Sequence, residues 1–99
     1  MEKVNFGAAI EALRNGKRVA RLGWNKTGVF IFQQVPSLVV AEIIPKMTSL
    51  PPLVKDEFMR RGGNIKYENQ LAMVYPDNTI YGWVASPTDV LEMDWVILD

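Results

Sequence analysis

Three tryptophans are the side chains in this sequence best suited to gripping a ligand. Trp24 follows Gly23 in a polar stretch, Trp83 stands between Gly82 and a predicted helix start, and Trp95 begins an apolar run. An indole offers a flat apolar face and one N–H donor, so it can stack on a planar ligand as well as fill a core. Trp95 is predicted to be a core residue, whereas Trp24 and Trp83 suit either role equally.

Two carboxylates, Asp89 and Asp94, could serve as a general acid and base or hold a divalent cation. Their five-residue spacing has no special ligand geometry, and the favoured interpretation is that Asp89 begins a helix and Asp94 forms a turn. The chain has no histidine and no cysteine, so the commonest general base and any thiolate nucleophile or metal ligand are missing. The sequence therefore predicts neither an enzyme nor a metal site, and it implies no cofactor.

The residues after Trp83 are typical of a helix N-terminus. Ser86 can cap the helix, Pro87 fits its first position, and Asp89 completes a capping box. Free N–H groups at such an end can face a ribose or phosphate, with positive charge from Arg18, Arg21 or Lys26. Together, Trp24 and Trp83 could sandwich a base.

The remaining patterns predict an α+β fold, a small antiparallel sheet domain with an N-terminal helix and two short helices. Asn5 caps the first helix, Gly16 ends it, and Gly62-Gly63 ends a second that starts near Pro52. Strands are predicted over 17–21, 29–35, 71–75, 80–84 and 94–98, with a loop over 23–28 and irregular structure over 38–50.

Composition narrows the class of protein further. Ninety-nine residues with 48% hydrophobic side chains fit one domain, over 1–99, with a proline-broken insertion at about 36–63. So much apolar material in a small chain favours burial between subunits. The net charge of zero disfavours binding to nucleic acid polymers or anionic membranes. With no cysteine, signal peptide or apolar run of about 18 residues, the expected location is intracellular, in the cytoplasm.

Five motifs together resemble the second Thoeris anti-defence family of phage and prophage proteins. They begin with Phe-x-x-Ala-Ile-x-x-Leu-x-x-Gly-Lys and Arg-x-Gly-Trp-Asn, and continue with Ile-Pro-Lys-Met-x-Ser-Leu-Pro. Tyr-x-Asn-Gln-Leu-Ala-Met-Val-Tyr-Pro-Asp-Asn and Gly-Trp-Val-Ala-Ser-x-x-Asp-Val-Leu-x-x-Asp-Trp follow. The resemblance covers residues 6–98 and is most specific at 23–25 and 82–95.

The resemblance implies a non-enzymatic sponge. Members of that family sequester a cyclic ADP-ribose isomer, of the glycocyclic type, made by the host's TIR-domain protein, and so leave the Thoeris effector unstimulated. They form homotetramers with the signal pocket between two subunits, and some hold cyclic oligonucleotides in separate pockets. Carried over by motif, Trp24 and Trp83 would flank the adenine and Arg21 would supply charge. The ribose and phosphate contacts would come from Asn25, Ala85, Ser86, Thr88 and Asp89.

Two other functions stay open. One is a small nucleotide hydrolase that uses Asp89 and Asp94. The other is an oligomeric protein-interaction or structural domain of phage origin, without nucleotide binding, in which all three tryptophans serve the core or an interface.

Overall fold

The computed structural model describes residues 1–25 and 27–98, and of Asn25 it describes only the backbone. The helices are α1 (Phe6–Arg14), α2 (Leu22–Asn25), α3 (Pro52–Arg60) and α4 (Pro87–Leu91), with a 3₁₀ helix over Ala41–Lys46. The strands are β1 (Arg18–Arg21), β2 (Phe30–Gln34), β3 (Ser37–Val39), β4 (Ile65–Tyr67), β5 (Gln70–Val74), β6 (Ile80–Gly82) and β7 (Trp95–Leu98). The predicted α+β class is confirmed.

The chain forms two compact units, residues 1–34 with 70–99 and residues 35–69. The first contains a five-stranded antiparallel sheet in the order β6-β5-β2-β1-β7. Its register aligns one row of side chains across all five strands, and this row runs through Tyr81, Met73, Ile31, Val19 and Ile97. Because side chains of paired residues share a face, this row defines the face on which the core is built.

Helix α1 packs against that face, as its apolar spacing predicts. The Asn5 side chain accepts a hydrogen bond of 2.8 Å from the Ala8 N–H, which caps the helix, and Gly16 follows it with a φ of 83°. The buried side of α1 presents Leu13 and two alanines to the sheet. Trp95 is completely buried in the same cluster, so its predicted core role is confirmed.

The second unit is built from β3, the 3₁₀ helix, α3 and β4. Strands β3 and β4 pair antiparallel as a two-stranded sheet, and Pro52 occupies the first turn of α3 as predicted. Gly62 and Gly63 end that helix with φ angles of 114° and 94°, in the left-handed region that favours glycine. The insertion predicted over 36–63 lies inside this unit, which extends to Asn69.

Two local predictions were wrong. The loop expected over 23–28 begins as a helical turn, α2, because the Leu22 N–H donates to the Asp94 carbonyl at 2.9 Å and fixes its start. The irregular stretch expected over 38–50 contains part of β3 and a 3₁₀ helix. Strand β3 depends on a partner strand about 28 residues away along the chain, which no local pattern reveals.

Candidate functional site

The three tryptophans form one aromatic cluster on the α1 side of the sheet. Trp24 and Trp83 each contact the buried Trp95, with ring centroids 5.4 and 6.0 Å from it, and lie 6.0 Å from each other. The three ring planes are nearly perpendicular, at 82°, 83° and 78°. Edge-to-face contacts of this kind stabilise a cluster beyond the area they bury. Trp24 and Trp83 remain half-buried, so each keeps some surface for a ligand.

This geometry corrects the predicted sandwich. A base held between two parallel rings needs about 7 Å between them, two van der Waals gaps of about 3.5 Å each. Trp24 and Trp83 instead meet edge to face, so within one chain no slot separates them. They form a corner, in which one ring can serve as a stacking surface and the other as a side wall.

Each corner tryptophan is held through its backbone. The Trp24 carbonyl accepts hydrogen bonds from the Thr27 N–H at 2.9 Å and the Val29 N–H at 3.3 Å. The Thr27 hydroxyl also donates to it at 2.7 Å. The Trp83 N–H donates to the Leu71 carbonyl at 2.9 Å, which extends the β5–β6 pairing by one residue. Trp83 is therefore anchored to the sheet, and Trp24 to the loop that leads into β2.

Phe6 is a member of the cluster that sequence reasoning did not assign to the site. Its ring lies 5.2 Å from that of Trp95 and 6.5 Å from that of Trp83. In the sequence Phe6 is simply the first apolar residue of α1, and only the packing of α1 across the sheet brings it to the tryptophans.

Arg21 forms an ion cluster with both aspartates of the candidate acid–base pair. Its Nε lies 3.0 Å from Asp94 Oδ1 and its Nη1 3.1 Å from Asp89 Oδ1. The hydrogen bond to Asp94, followed by the one to Asp89, raises the pKa of the Arg21 guanidinium against the opposing effect of burial. Because two carboxylates already neutralise the charge of Arg21, its role is to link β1 to the segment that carries Trp83 and Trp95.

The Asp89 carboxylate accepts hydrogen bonds from Ser86 as well as from Arg21. Its Oδ2 accepts from the Ser86 N–H at 3.0 Å and its own N–H donates to Ser86 Oγ at 3.1 Å, which is the predicted capping box. Burial by itself would raise the pKa of Asp89, but hydrogen bonds from Ser86 and Arg21 outweigh it and lower the pKa. Asp89 is thus a structural carboxylate, as the favoured sequence interpretation held.

Several of the N–H groups that were expected to face a ligand are used within the helix start itself. Pro87 has no N–H, the Asp89 N–H is bound to Ser86, and the Val90 N–H donates to the Ser86 carbonyl at 3.0 Å. Ser86 and Thr88 nevertheless remain exposed and Ala85 half-buried, so this polar segment beside Trp83 stays accessible.

Of the other predicted site residues, only Arg18 has a described side chain. Arg18 adjoins Val19 in a strand, so it lies on the face of the sheet opposite the tryptophans, with its guanidinium carbon 5.0 Å from the centre of the Phe30 ring. Lys26 and the Asn25 side chain lie outside the described residues.

A separate open pocket lies at the β5–β6 turn, with a volume of about 510 Å³. Tyr75 and Tyr81, which both line it, contact edge to face with centroids 5.4 Å apart. Asp77 and Thr79 also line it, and the Asp77 carboxylate accepts a hydrogen bond from the Thr79 N–H at 3.0 Å.

Comparison with known proteins identifies the family. The family model of the Thoeris anti-defense 2-like domain matches residues 4–98. Thoeris anti-defense 2 of Bacillus phage SP01 is 33% identical over 99 residues, covering 97% of this chain and 96% of the phage protein. The chain belongs to the Thoeris anti-defense 2-like family. The expected family is confirmed, and membership supports an anti-defence role for this Thoeris anti-defense 2-like domain.

The family name indicates an inhibitor rather than a catalyst. Within residues 1–25 and 27–98 of this Thoeris anti-defense 2-like domain, no group of three potential carboxylate, histidine or cysteine ligands could hold a metal. Its longest described helices have nine residues, and none of the helices described is long and apolar enough to cross a membrane.

Proposed function

We propose that the protein is a sponge that binds a cyclic ADP-ribose isomer and withholds it from a Thoeris effector without changing it. The observation that carries this proposal is the corner of Trp24 and Trp83, two half-buried rings beside an accessible polar segment, in a chain of the anti-defence family. One indole face stacks on the adenine, and the other ring closes the side of the pocket.

The proposed ligand contacts divide into two groups. Asn25, Ala85, Ser86 and Thr88 meet the ribose and phosphate groups. Asp89 and Arg21 do not contact the ligand in this proposal, because their charged atoms are already bonded to each other. They hold the Trp83 segment in position.

Holding the nucleotide, rather than hydrolysing it, is supported by the state of the two carboxylates. A general base must be free to take a proton from water or substrate. Both Asp89 and Asp94 accept hydrogen bonds from Arg21, and Asp89 accepts a further bond from Ser86. A hydrolase based on this pair would have to break the ion cluster first.

The proposed assembly is a homotetramer in the host cytoplasm, with the signal pocket between two subunits. A corner made of two perpendicular rings encloses a base on two sides only, so a second chain would complete the enclosure. Exposed apolar side chains in the segment between Trp83 and Trp95 support such a contact: Val84 is 89% exposed, Leu91 78% and Met93 64%. The tyrosine-lined pocket at the β5–β6 turn is a candidate for the cyclic oligonucleotides that some family members hold.

Calorimetric titration with a cyclic ADP-ribose isomer tests this proposal. Trp83→Leu should weaken binding about 5- to 150-fold, the equivalent of about 1–3 kcal/mol of base stacking. Phe6→Leu is the matched control, because it alters the same cluster at a residue with no proposed ligand contact, and it should change affinity less than about threefold. Absence of binding by the unmodified protein would instead favour an oligomeric interaction domain without a nucleotide.

A further inference from the structure

The two edges of the five-stranded sheet differ in how they are covered. At the β7 edge, Val4 pairs with Trp95 through hydrogen bonds of 2.7 and 3.1 Å. At the other edge lies β6, a three-residue strand that pairs with β5 alone within the described sheet. An uncovered edge presents free backbone donors and acceptors and is a ready template for another strand.

The hydrogen bonds to β5 fix which residues of β6 face outward. Tyr75 N–H donates to the Thr79 carbonyl at 3.0 Å, and Trp83 N–H donates to the Leu71 carbonyl at 2.9 Å. Since paired residues in an antiparallel ladder bond alternately inward and outward, the backbone groups of Ile80 and Gly82 point away from β5. These two residues supply two N–H donors and two carbonyl acceptors at the sheet edge.

We propose that β6 pairs antiparallel with β6 of a second copy of this chain, about a two-fold axis that passes between the two copies of Tyr81. Ile80 of one chain then stands opposite Gly82 of the other, and the outward N–H and C=O groups of both match in four hydrogen bonds. The pattern is self-complementary, so a second copy related by a two-fold axis satisfies all the outward groups of both edges. The pairing would also bury apolar surface, because the large hydrophobic side chains Ile80 and Tyr81 are both 57% exposed.

This pairing bears on the ligand site and rests on the proposed function, whose subunit contact it specifies. With the axis at Tyr81, Trp83 stands opposite Thr79 of the partner subunit, and directly opposed side chains have Cβ atoms about 5 Å apart. Both side chains lie on the Tyr81 face of the joined sheet. The tyrosine-lined pocket of one chain, which includes Thr79, would therefore adjoin the tryptophan corner of the other.

A charge-complementation experiment tests the pairing, with mass measured by analytical ultracentrifugation. Tyr81 would face its own copy, so Tyr81→Lys and Tyr81→Glu each place like charges in direct opposition. Each variant alone should show half the mass of the unmodified assembly, and an equimolar mixture of the two should recover it. Tyr75→Lys is the matched control, since Tyr75 contacts Tyr81 on the same face but lies before the turn, away from the axis, and its mass should be unchanged.

A second variant covers the case in which charge at position 81 disturbs folding. Ile80→Pro removes an outward N–H that β5 does not use, so it should halve the mass while thermal unfolding stays cooperative. Charged variants that retain the full mass, a mixture that does not recover it, or a monomeric unmodified protein would each overturn the pairing. A variant that loses the pairing but still binds the nucleotide leaves the sponge proposal standing. A protein that forms the pair but binds no nucleotide refutes only the sponge proposal.

Discussion

Trp24 and Trp83 meet at nearly a right angle, with their ring centroids 6.0 Å apart. Both rings also contact the buried Trp95, whose indole N–H donates to the Asp89 carbonyl at 2.8 Å. The aromatic corner and the ion cluster of Arg21 with Asp89 and Asp94 are thus parts of one structure. A change in the ion cluster should therefore lower the free energy of unfolding, and it should weaken ligand binding only as a consequence of that lost stability.

Neutralising Asp89 should destabilise the protein. Asp89→Asn keeps the volume but weakens the bonds to Arg21 and to the Ser86 N–H, and we expect a loss of about 1–3 kcal/mol in the free energy of unfolding. Urea denaturation followed by tryptophan fluorescence measures it. Asp77→Asn is the control, because Asp77 also accepts a backbone hydrogen bond but is fully exposed. An equal change in both variants would contradict the structural role of Asp89.

Stability should fall in acid because of the same carboxylate. The folded-state pKa of Asp89 is lowered, so its contribution is complete above the unfolded value of about 3.9 and is lost as the pH falls through the folded value. The pKa of Asp77 is also lowered, chiefly by its hydrogen bonds with Thr79, and adds in the same direction. Urea midpoints measured from pH 7 to pH 2 should decline below about pH 4, and less steeply in Asp89→Asn. Parallel curves for the two proteins would rule out this cause.

Removing Arg21 should reveal its role as the link between two carboxylates. Arg21→Gln leaves Asp89 and Asp94 without their shared cation, and we expect a loss of about 2–4 kcal/mol. Adding Asp94→Asn removes the remaining repulsion, so the double variant should lose less than the sum of the single variants by about 1 kcal/mol. Additive losses in the double-mutant cycle would show that the three charges act independently.

The second unit offers a test of its glycine turn. A Cβ at Gly63 would lie 2.7 Å from the Ala41 Cβ, whereas one at Gly62 would meet no atom within 4 Å, and both residues have positive φ. Gly62→Ala should therefore cost only backbone strain, about 1–2 kcal/mol, and Gly63→Ala should cost about 1–3 kcal/mol more through overpacking. Thermal denaturation of the two variants makes the comparison, and equal midpoints would contradict the close approach to Ala41.

The sequence predicted elements whose signals are local. The Asn5 cap, Pro52 at a helix start and the Ser86 to Asp89 capping box each depend on residues within one turn, and all were found where expected. The α2 turn and strand β3 depend on partners distant in the chain and were missed. The angle between Trp24 and Trp83 is likewise set by packing on Trp95, so no spacing in the sequence could have indicated a corner rather than a sandwich.

The claim that the protein holds a nucleotide unchanged is tested most directly by recovering the ligand. The protein is mixed with a cyclic ADP-ribose isomer, freed of unbound nucleotide by gel filtration and denatured by heat, and the released nucleotide is analysed by mass spectrometry. We expect the intact cyclic nucleotide to be recovered in proportion to the protein, however long the incubation. Recovery of a linear or hydrolysed product, or of no nucleotide at all, would contradict the account.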